Sequence, residues 1–338
     1  MNHASKKSPW KRRRGPAWLA LLFLAGASYA QNCLSAADMD ASVRKALEAT
    51  APRYFEMSAR GDTAALRQNS IPLVSANFAG VDAAVKENQA AFTGAQATVR
   101  PPFLLTAEGS EPLARAEFLC GVFGKTGQTR DSAVFVLNNL PPGKYGVVIL
   151  DISGKESRTL TLVLQQVGTE WELAGYYART SEVAGHDAAW FEQRAREFKA
   201  KSENHNAWLY YREAIALSSP VDFMSTLVTD KLYDEGHATQ PSDMPSNGSE
   251  VDLSAGGKTH RWTEIFPLAV GNDLDVVVKY ASPDISNTQK TFQENMAVIK
   301  ALVAKFPELR NAFAGVVARA VDPSGQDYGS MLPMKEIK

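Results

Sequence analysis

The side chains that most often carry catalysis are scarce and scattered along this sequence. Beyond residue 30 the chain has four histidines, none within helical reach of another: His186, His205, His237 and His260. A histidine metal site would need long-range assembly, so exposed or helix-capping positions are the simpler interpretation. A glycine-rich phosphate loop, a Gly-x-Ser-x-Gly elbow and a His-Glu-x-x-His pair are all absent from the sequence. We therefore expect no cofactor, no metal and no familiar catalytic motif.

Cys33 and Cys120 are the only two cysteines. Cys120 alternates with Ala116 and Phe118 as in a strand, so we expect it to face a core. In an oxidising compartment an even pair predicts one disulfide, and Cys33 would then hold an end of the chain that otherwise frays. The alternative is two unrelated thiols, one buried and one free. These structural uses argue against a reactive cysteine nucleophile.

The first 30 residues have the pattern of a secretory signal peptide. Six basic residues between positions 6 and 14 precede an apolar run at 17–27, and Ser28 and Ala30 place small side chains at the two positions that cleavage requires. The run is short for a membrane span, and an uncleaved N-terminal anchor is the alternative. We expect cleavage after Ala30, a secreted or periplasmic location, and no stable membrane span thereafter.

Length and charge narrow the function classes further. A chain of 338 residues should form two or three domains, and 45% hydrophobic with 22% charged residues is a globular composition. Loss of the leader's six basic residues leaves 30 basic against 37 acidic residues, a net charge of about −7. Because a nucleic-acid binder needs a basic face to neutralise phosphates, we do not expect nucleic acid as a partner.

Residues 31–180 have the pattern of helices followed by an antiparallel sheet, an α+β layout. Apolar spacing predicts a helix at 36–60, which Pro52 should kink or split. Gly61 should end this helix and Asp62 should cap the next. The remaining predictions for this part of the chain are a helix at 81–92, strands at 114–123, 132–137 and 145–152, and a hairpin at 158–177 that turns at Gly168.

Two stretches resemble the NTF2-like (cystatin-like cone) family. Residues 54–66, YFEMSARGDTAAL, are similar to the start of such domains, where an aromatic helix ends in Gly-Asp and the chain turns into a second helix. Residues 171–177, WELAGYY, are similar to the family's closing strand. The resemblance implies helices backed by a curved antiparallel sheet over about 36–180. The rival is a prealbumin-like β-sandwich, which residues 135–145, FVLNNLPPGKY, resemble, although the helical first half fits it poorly.

The NTF2-like resemblance also implies a site inside the cone, where some members of the family place a carboxylate base and a hydroxyl donor. The carboxylates available for this role are Asp131 and Glu117. Glu117 shares a strand face with Arg115, so a surface ion pair is the simpler interpretation, and Asp131 stands at a strand start, where a turn role is common. An aromatic set that includes the hydroxyl donors could line a ligand pocket or belong to the core: Tyr54, Phe55, Trp171, Tyr176 and Tyr177.

The rest of the chain divides into a helical segment, a linker and a small module. Residues 181–234 contain a helix pair that resembles a single tetratricopeptide unit, but one unit cannot bury its own faces. A helical hairpin packed on the preceding sheet is therefore the simpler expectation. Residues 235–257 are rich in proline, glycine and serine and predict a linker. Residues 258–338 predict a strand-strand-helix-strand (ββαβ) module in which Asn287 caps the helix.

We therefore expect an exported, non-catalytic binding or scaffold protein of a bacterial-type cell envelope. Its NTF2-like domain would bind a small apolar ligand or a protein partner, and the chain could form a homo-oligomer. One alternative is an NTF2-like isomerase or hydrolase that uses Asp131 or Glu117 as its base. Another is a structural assembly component that uses the helical pair, which an exposed patch of Trp190, Trp208 and Tyr211 would favour.

Overall fold

The computed structural model describes residues 31–121, 123–124, 127–129, 132–246 and 248–338. The α+β class predicted from the sequence is confirmed. The predicted leader lies outside the described residues, and so does Asp131. The elements up to residue 180 are β1 (Gln31–Leu34), α1 (Ala41–Ala59), α2 (Thr63–Gln68), α3 (Pro72–Ala76), α4 (Ala79–Phe92), β2 (Gln96–Val99), β3 (Phe103–Ala107), β4 (Leu113–Cys120), β5 (Phe123–Gly124), β6 (Gly127–Gln128), β7 (Ala133–Leu140), β8 (Gly143–Ser153), β9 (Arg158–Val167) and β10 (Glu170–Thr180).

The second half continues with short strands, four α-helices and a C-terminal sheet. It also has two 3₁₀ helices, at Pro307–Asn311 and Met334–Glu336. The elements after residue 180 are β11 (Glu182–Val183), β12 (His186–Asp187), α5 (Ala188–Ala200), α6 (Asn204–Ser218), β13 (Met224–Thr226), α7 (Leu227–His237), β14 (Val251–Ala255), β15 (Lys258–Val270), β16 (Asp273–Ala281), α8 (Thr288–Lys305), β17 (Gly315–Val321) and β18 (Asp327–Pro333).

Local chemistry sets the ends of the first helices as the sequence predicts. Gly61 takes a positive φ of 67° after α1, a conformation that favours glycine. Asp62 caps α2 by accepting a hydrogen bond from the backbone N–H of Ala65 at 3.0 Å. The predicted split at Pro52 is wrong, because α1 runs through the proline as one helix of 19 residues. Ala51 and Tyr54 are buried on either side of it, and their packing offsets the lost backbone hydrogen bond.

The first half of the chain forms three layers. One sheet has the strand order β1-β3-β8-β9-β10, with β2 paired to the far end of β8, and all its pairings are antiparallel. Helices α1 and α4 cover one face, where residues such as Leu47 and Phe92 pack against Leu150 and Leu162. The other face packs on a second sheet with the order β13-β7-β4. Strand β8 is therefore buried on both faces.

The helices of the second half pack on the C-terminal sheet. Phe191, Phe198 and Trp208 share one hydrophobic core with Trp262 and Val278. The expected packing of this helical hairpin on the preceding sheet is wrong. The helical segment and the C-terminal module, expected as separate pieces, bury their apolar faces against each other. Trp208 and Tyr211 are buried and Trp190 is partly buried, so these residues do not form the exposed patch that would favour an assembly role.

The C-terminal sheet has the order β14-β15-β16-β17-β18. Strands β16 and β17 are parallel and α8 is the crossover between them, so the predicted strand-strand-helix-strand core is confirmed. Asn287 caps α8 as predicted, accepting from the backbone N–H of Lys290 at 3.0 Å. Strand β14 lies within the predicted linker, because Leu253 and Ala255 alternate toward the core among polar neighbours. Strand β18, which the sequence pattern does not predict, pairs with β17 and forms the other edge of the sheet.

A strand from the second half ties the two halves together. In β13, Met224 pairs with Phe135 of β7, and Phe223 accepts a hydrogen bond from the backbone N–H of Val136 at 2.9 Å. Val221 and Met224 are buried in the core between the two sheets of the first half. The second sheet is therefore completed by a segment from nearly ninety residues further along the chain.

Candidate functional site

An apolar pocket of about 600 Å³ opens between the two sheets of the first half. Phe103 and Ile149 line it from the first sheet, and Met224 lines it from the second. Phe103 is held edge-on against Phe135, with ring centroids 5.2 Å apart. The remaining lining residues are Ser35, Ala36, Ala37, Arg44, Arg100, Pro101, Ser132 and Thr226.

The segment after β1 forms one wall of this pocket. The predicted disulfide between Cys33 and Cys120 is confirmed and joins β1 to the last residue of β4. Ser35 then accepts backbone hydrogen bonds from Asp38 and Met39, both at 3.0 Å, which turns the chain toward α1. The disulfide and this turn fix Ala36 and Ala37 at the mouth of the pocket.

Two arginines stand at the rim, and their charges are balanced unequally. Arg100 makes two hydrogen bonds to Asp151, at 2.8 and 2.6 Å. Arg44 has Glu48 at 4.0 Å and donates to the carbonyl of Ala36 at 3.3 Å. Because a bidentate pair neutralises a guanidinium better than a distant exposed pair, Arg44 keeps the less compensated positive charge. The pocket therefore combines an apolar interior with one available cation.

The five predicted pocket aromatics do not surround one cavity. Tyr54, Phe55, Trp171 and Tyr176 belong to the core between the helices and the first sheet. Tyr177 points to the opposite face, 39% exposed, with its ring 5.3 Å from that of Phe223. Side chains alternate along a strand, so adjacent residues 176 and 177 cannot share a pocket on one face. The hypothesis of a single pocket lined by all five residues is therefore wrong.

Tyr54 and Tyr176 are buried in the core between the helices and the first sheet. The hydroxyl of Tyr54 donates to the carbonyls of Asn69 at 2.6 Å and Trp171 at 3.1 Å, tying α1 to β10 and to the end of α2. Burial raises the pKa of Tyr54 and of Tyr176 to about 12. The cleft beside Tyr54 and Trp171 measures only about 100 Å³, well below the usual size of a ligand pocket.

Of the two predicted carboxylates, the described residues include only Glu117, which does not line the pocket. Glu117 faces solvent on β4 and lies 3.5 Å from Arg115, which is the surface pair that the strand pattern predicts. Its neighbours Ala116 and Phe118 take the core positions. Asp131 is outside the described residues, although the next residue, Ser132, lines the pocket.

The residues that do line the pocket carry little signal in the sequence. Phe103 follows two prolines in an apolar run, and Ile149 belongs to a strongly apolar strand, so the sequence pattern predicts both as ordinary core residues. Met224 comes from the other half of the chain, and nothing local in the sequence connects it with Phe103. Only the pairing of β13 with β7 brings them together.

Among the described residues, no group of three or more histidines, cysteines, aspartates or glutamates is arranged to hold a metal ion. In the same part of the chain, no helix has the length and apolar character needed to cross a bilayer. Comparison of the chain with protein-family models, with curated proteins and with solved structures finds no match. Function is therefore inferred from the geometry of the pocket.

Proposed function

We propose that the protein is an exported, non-catalytic binding protein whose first half holds an amphipathic small molecule between its two sheets. The ligand would have an apolar body and one anionic group. The observation that carries this proposal is the apolar pocket of about 600 Å³ with Arg44 at its rim. A volume of this size lies within the range of small-molecule sites, which combine apolar walls with a few polar groups.

The walls of the pocket favour an apolar body. Ala36, Pro101, Phe103, Ile149 and Met224 present carbon surface from two sheets and a loop. Covering such surface stabilises a complex by roughly 25 cal/mol for each Å² removed from water. The pocket is continuous with the hydrophobic core, so its walls are rigid and need little ordering on binding.

The rim favours an anionic group. Arg44 lines the pocket and donates to the carbonyl of Ala36, and its own carboxylate neighbour, Glu48, is 4.0 Å away. A ligand carboxylate could accept charge-assisted hydrogen bonds from this guanidinium while its chain lies inside. A fatty acid has this chemistry, and laurate is a convenient soluble representative.

Export and family are part of the same proposal. Residues 1–30 would direct the chain to the periplasm or the outside of the cell and be cleaved after Ala30. The disulfide, a bond typical of oxidising compartments, supports this. The NTF2-like resemblance is supported by the order of elements, since Gly61 and Asp62 connect α1 to α2, and the helices pack on an antiparallel sheet that closes with β10.

Filling the pocket tests the proposal directly. Ala37 is exposed at the mouth, so Ala37→Trp should block entry without disturbing the core. We expect laurate to bind the delipidated full chain in titration calorimetry, and to bind this variant about tenfold more weakly or worse, a loss of about 1.4 kcal/mol. The matched control is Ala83→Trp on the exposed side of α4, which should bind laurate normally.

The same titration separates the head group from the chain. Arg44→Gln should weaken laurate binding and leave lauryl alcohol binding unchanged, because only the acid carries a charge for Arg44 to meet. Equal affinities for laurate in Ala37→Trp and in the unmodified protein would rule out the pocket as the binding site. Equal losses in Ala37→Trp and Ala83→Trp would do the same.

A further inference from the structure

A second cleft, of about 340 Å³, lies where the two halves meet. Its walls come from the end of β10, from α6, from α7 and from the loop after α7. Two arginines, Arg179 and Arg212, line it together with Ile215 and Tyr233. The inference drawn from this cleft does not depend on the pocket between the sheets.

Arg212 is held in place but forms no salt bridge with a carboxylate among the described residues. Its Nη1 donates to the carbonyl of Ile265 at 2.8 Å, and its guanidinium carbon lies 4.7 Å from the centre of the Trp208 ring. Glu213 and then Glu264 act on its charge from beyond salt-bridge distance, and Glu264 is itself paired with Lys279 at 2.8 Å. A fixed guanidinium with one of its five N–H groups engaged offers the remaining donors to a ligand.

Arg179 adds a second guanidinium whose partner is easily displaced. It lies 2.7 Å from Asp222 and donates to the carbonyl of Ser219 at 3.4 Å. The Asp222 side chain is 88% exposed, so its ion pair with Arg179 is screened by water and contributes little stability. A ligand anion could take the place of Asp222 at low cost.

The other walls indicate what the anion is attached to. Tyr233, which is 59% exposed, and Ile215 both line the cleft and give it an aromatic and an aliphatic surface. A flat apolar body fits between such walls, while a planar carboxylate matches the fork of a guanidinium. We infer that this cleft is a binding site for a small aromatic carboxylate, held at its charged end by Arg212 and Arg179.

Benzoate is the probe, and the full chain is titrated while the indole N–H signal of Trp208 and the Nε–H signal of Arg212 are followed by NMR. We expect saturable shifts of both signals, with benzoate binding more tightly than acetate. Arg212→Gln should weaken binding by about tenfold or more, and Arg179→Gln by less. Arg261→Gln is the control, because Arg261 forms an exposed pair with Glu250 outside the cleft.

A further variant keeps the test decisive if Arg212→Gln does not fold. Arg212→Lys retains the charge but loses the fork, so it should retain only part of the affinity for benzoate. Benzoate affinity unchanged in Arg212→Lys and in Arg179→Gln would overturn the inference. Saturable binding of inorganic phosphate with no binding of benzoate would overturn it as well.

Discussion

At the scale of single residues, Glu213 is the carboxylate whose pKa its surroundings shift most clearly. It lies on α6 beside Arg212, partly buried, and burial raises its pKa to about 7 while Arg212 acts in the opposite direction. Among the described residues, no side chain donates a hydrogen bond that would stabilise the charged form of the Glu213 carboxylate. The folded protein therefore keeps the proton on Glu213 up to a higher pH than the unfolded chain, in which this carboxyl has its ordinary pKa of 4.5.

The pH dependence of stability follows from this shift. Below pH 4.5 the Glu213 carboxyl is protonated in both the folded and the unfolded state, and its contribution to the free energy of unfolding is fully present. Between 4.5 and about 7 only the folded state keeps the proton, so the free energy of unfolding falls as pH rises. We expect Glu213→Gln to raise the free energy of unfolding at pH 8 by about 3 kcal/mol and to leave it nearly unchanged at pH 4, measured by urea denaturation. An equal gain at both pH values would contradict this account.

At the scale of elements, the disulfide connects stability with the candidate site. It closes a loop with a sequence separation of 87 residues and holds β1 next to β4. Just after β1, Ala36 and Ala37 form the mouth of the pocket. The disulfide therefore stabilises the part of the molecule that the proposed ligand would have to pass.

Replacing both cysteines, Cys33→Ser with Cys120→Ser, should lower the free energy of unfolding by about 3–5 kcal/mol, because the unfolded chain gains the entropy of an open loop. Denaturant unfolding of the non-reduced proteins measures this loss. Laurate affinity should also fall, since the mouth of the pocket is less firmly held. A double variant with the stability of the unmodified protein would show that the disulfide does not restrict the unfolded chain.

Elements with strong local signals could be predicted from the sequence, and those defined by distant partners could not. The hairpin at Gly168, the caps Asp62 and Asn287 and the helix α8 all follow from neighbouring residues. Strands β13, β14 and β18 are short or rich in polar residues and lie at sheet edges, so few apolar side chains mark them in the sequence. Of these, β13 supplies Met224, and the pocket was missed for that reason.

At the scale of the whole molecule, helices α5 and α6 share one hydrophobic core with the C-terminal sheet. Their large aromatic side chains pack on each other and on that sheet, and Trp262 lies in the shared core with no exposed surface. The sequence showed the helical spacing of Trp208 and Tyr211 but gave no indication of which sheet would receive them. Amphipathic patterns report which face is apolar and not which surface it meets.

Trp262→Ala tests whether helices α5 and α6 depend on packing against the C-terminal sheet. The substitution should cost about 3–5 kcal/mol, as expected for a large aromatic side chain removed from a core. If α5 and α6 depend on the sheet, their amide hydrogens should exchange faster together with those of β15, while α1 amides stay protected. Faster exchange confined to β15 and β16 would contradict a shared core.

The central claim is that an amphipathic anion binds between the two sheets of the first half. Photolabelling the full chain with a diazirine analogue of laurate, followed by peptide mapping, locates the ligand without a substitution. We predict labels in the peptides that contain Phe103, Ile149 and Met224, all suppressed by excess laurate. Labels confined to peptides outside the pocket, or labels that laurate does not suppress, would contradict the claim.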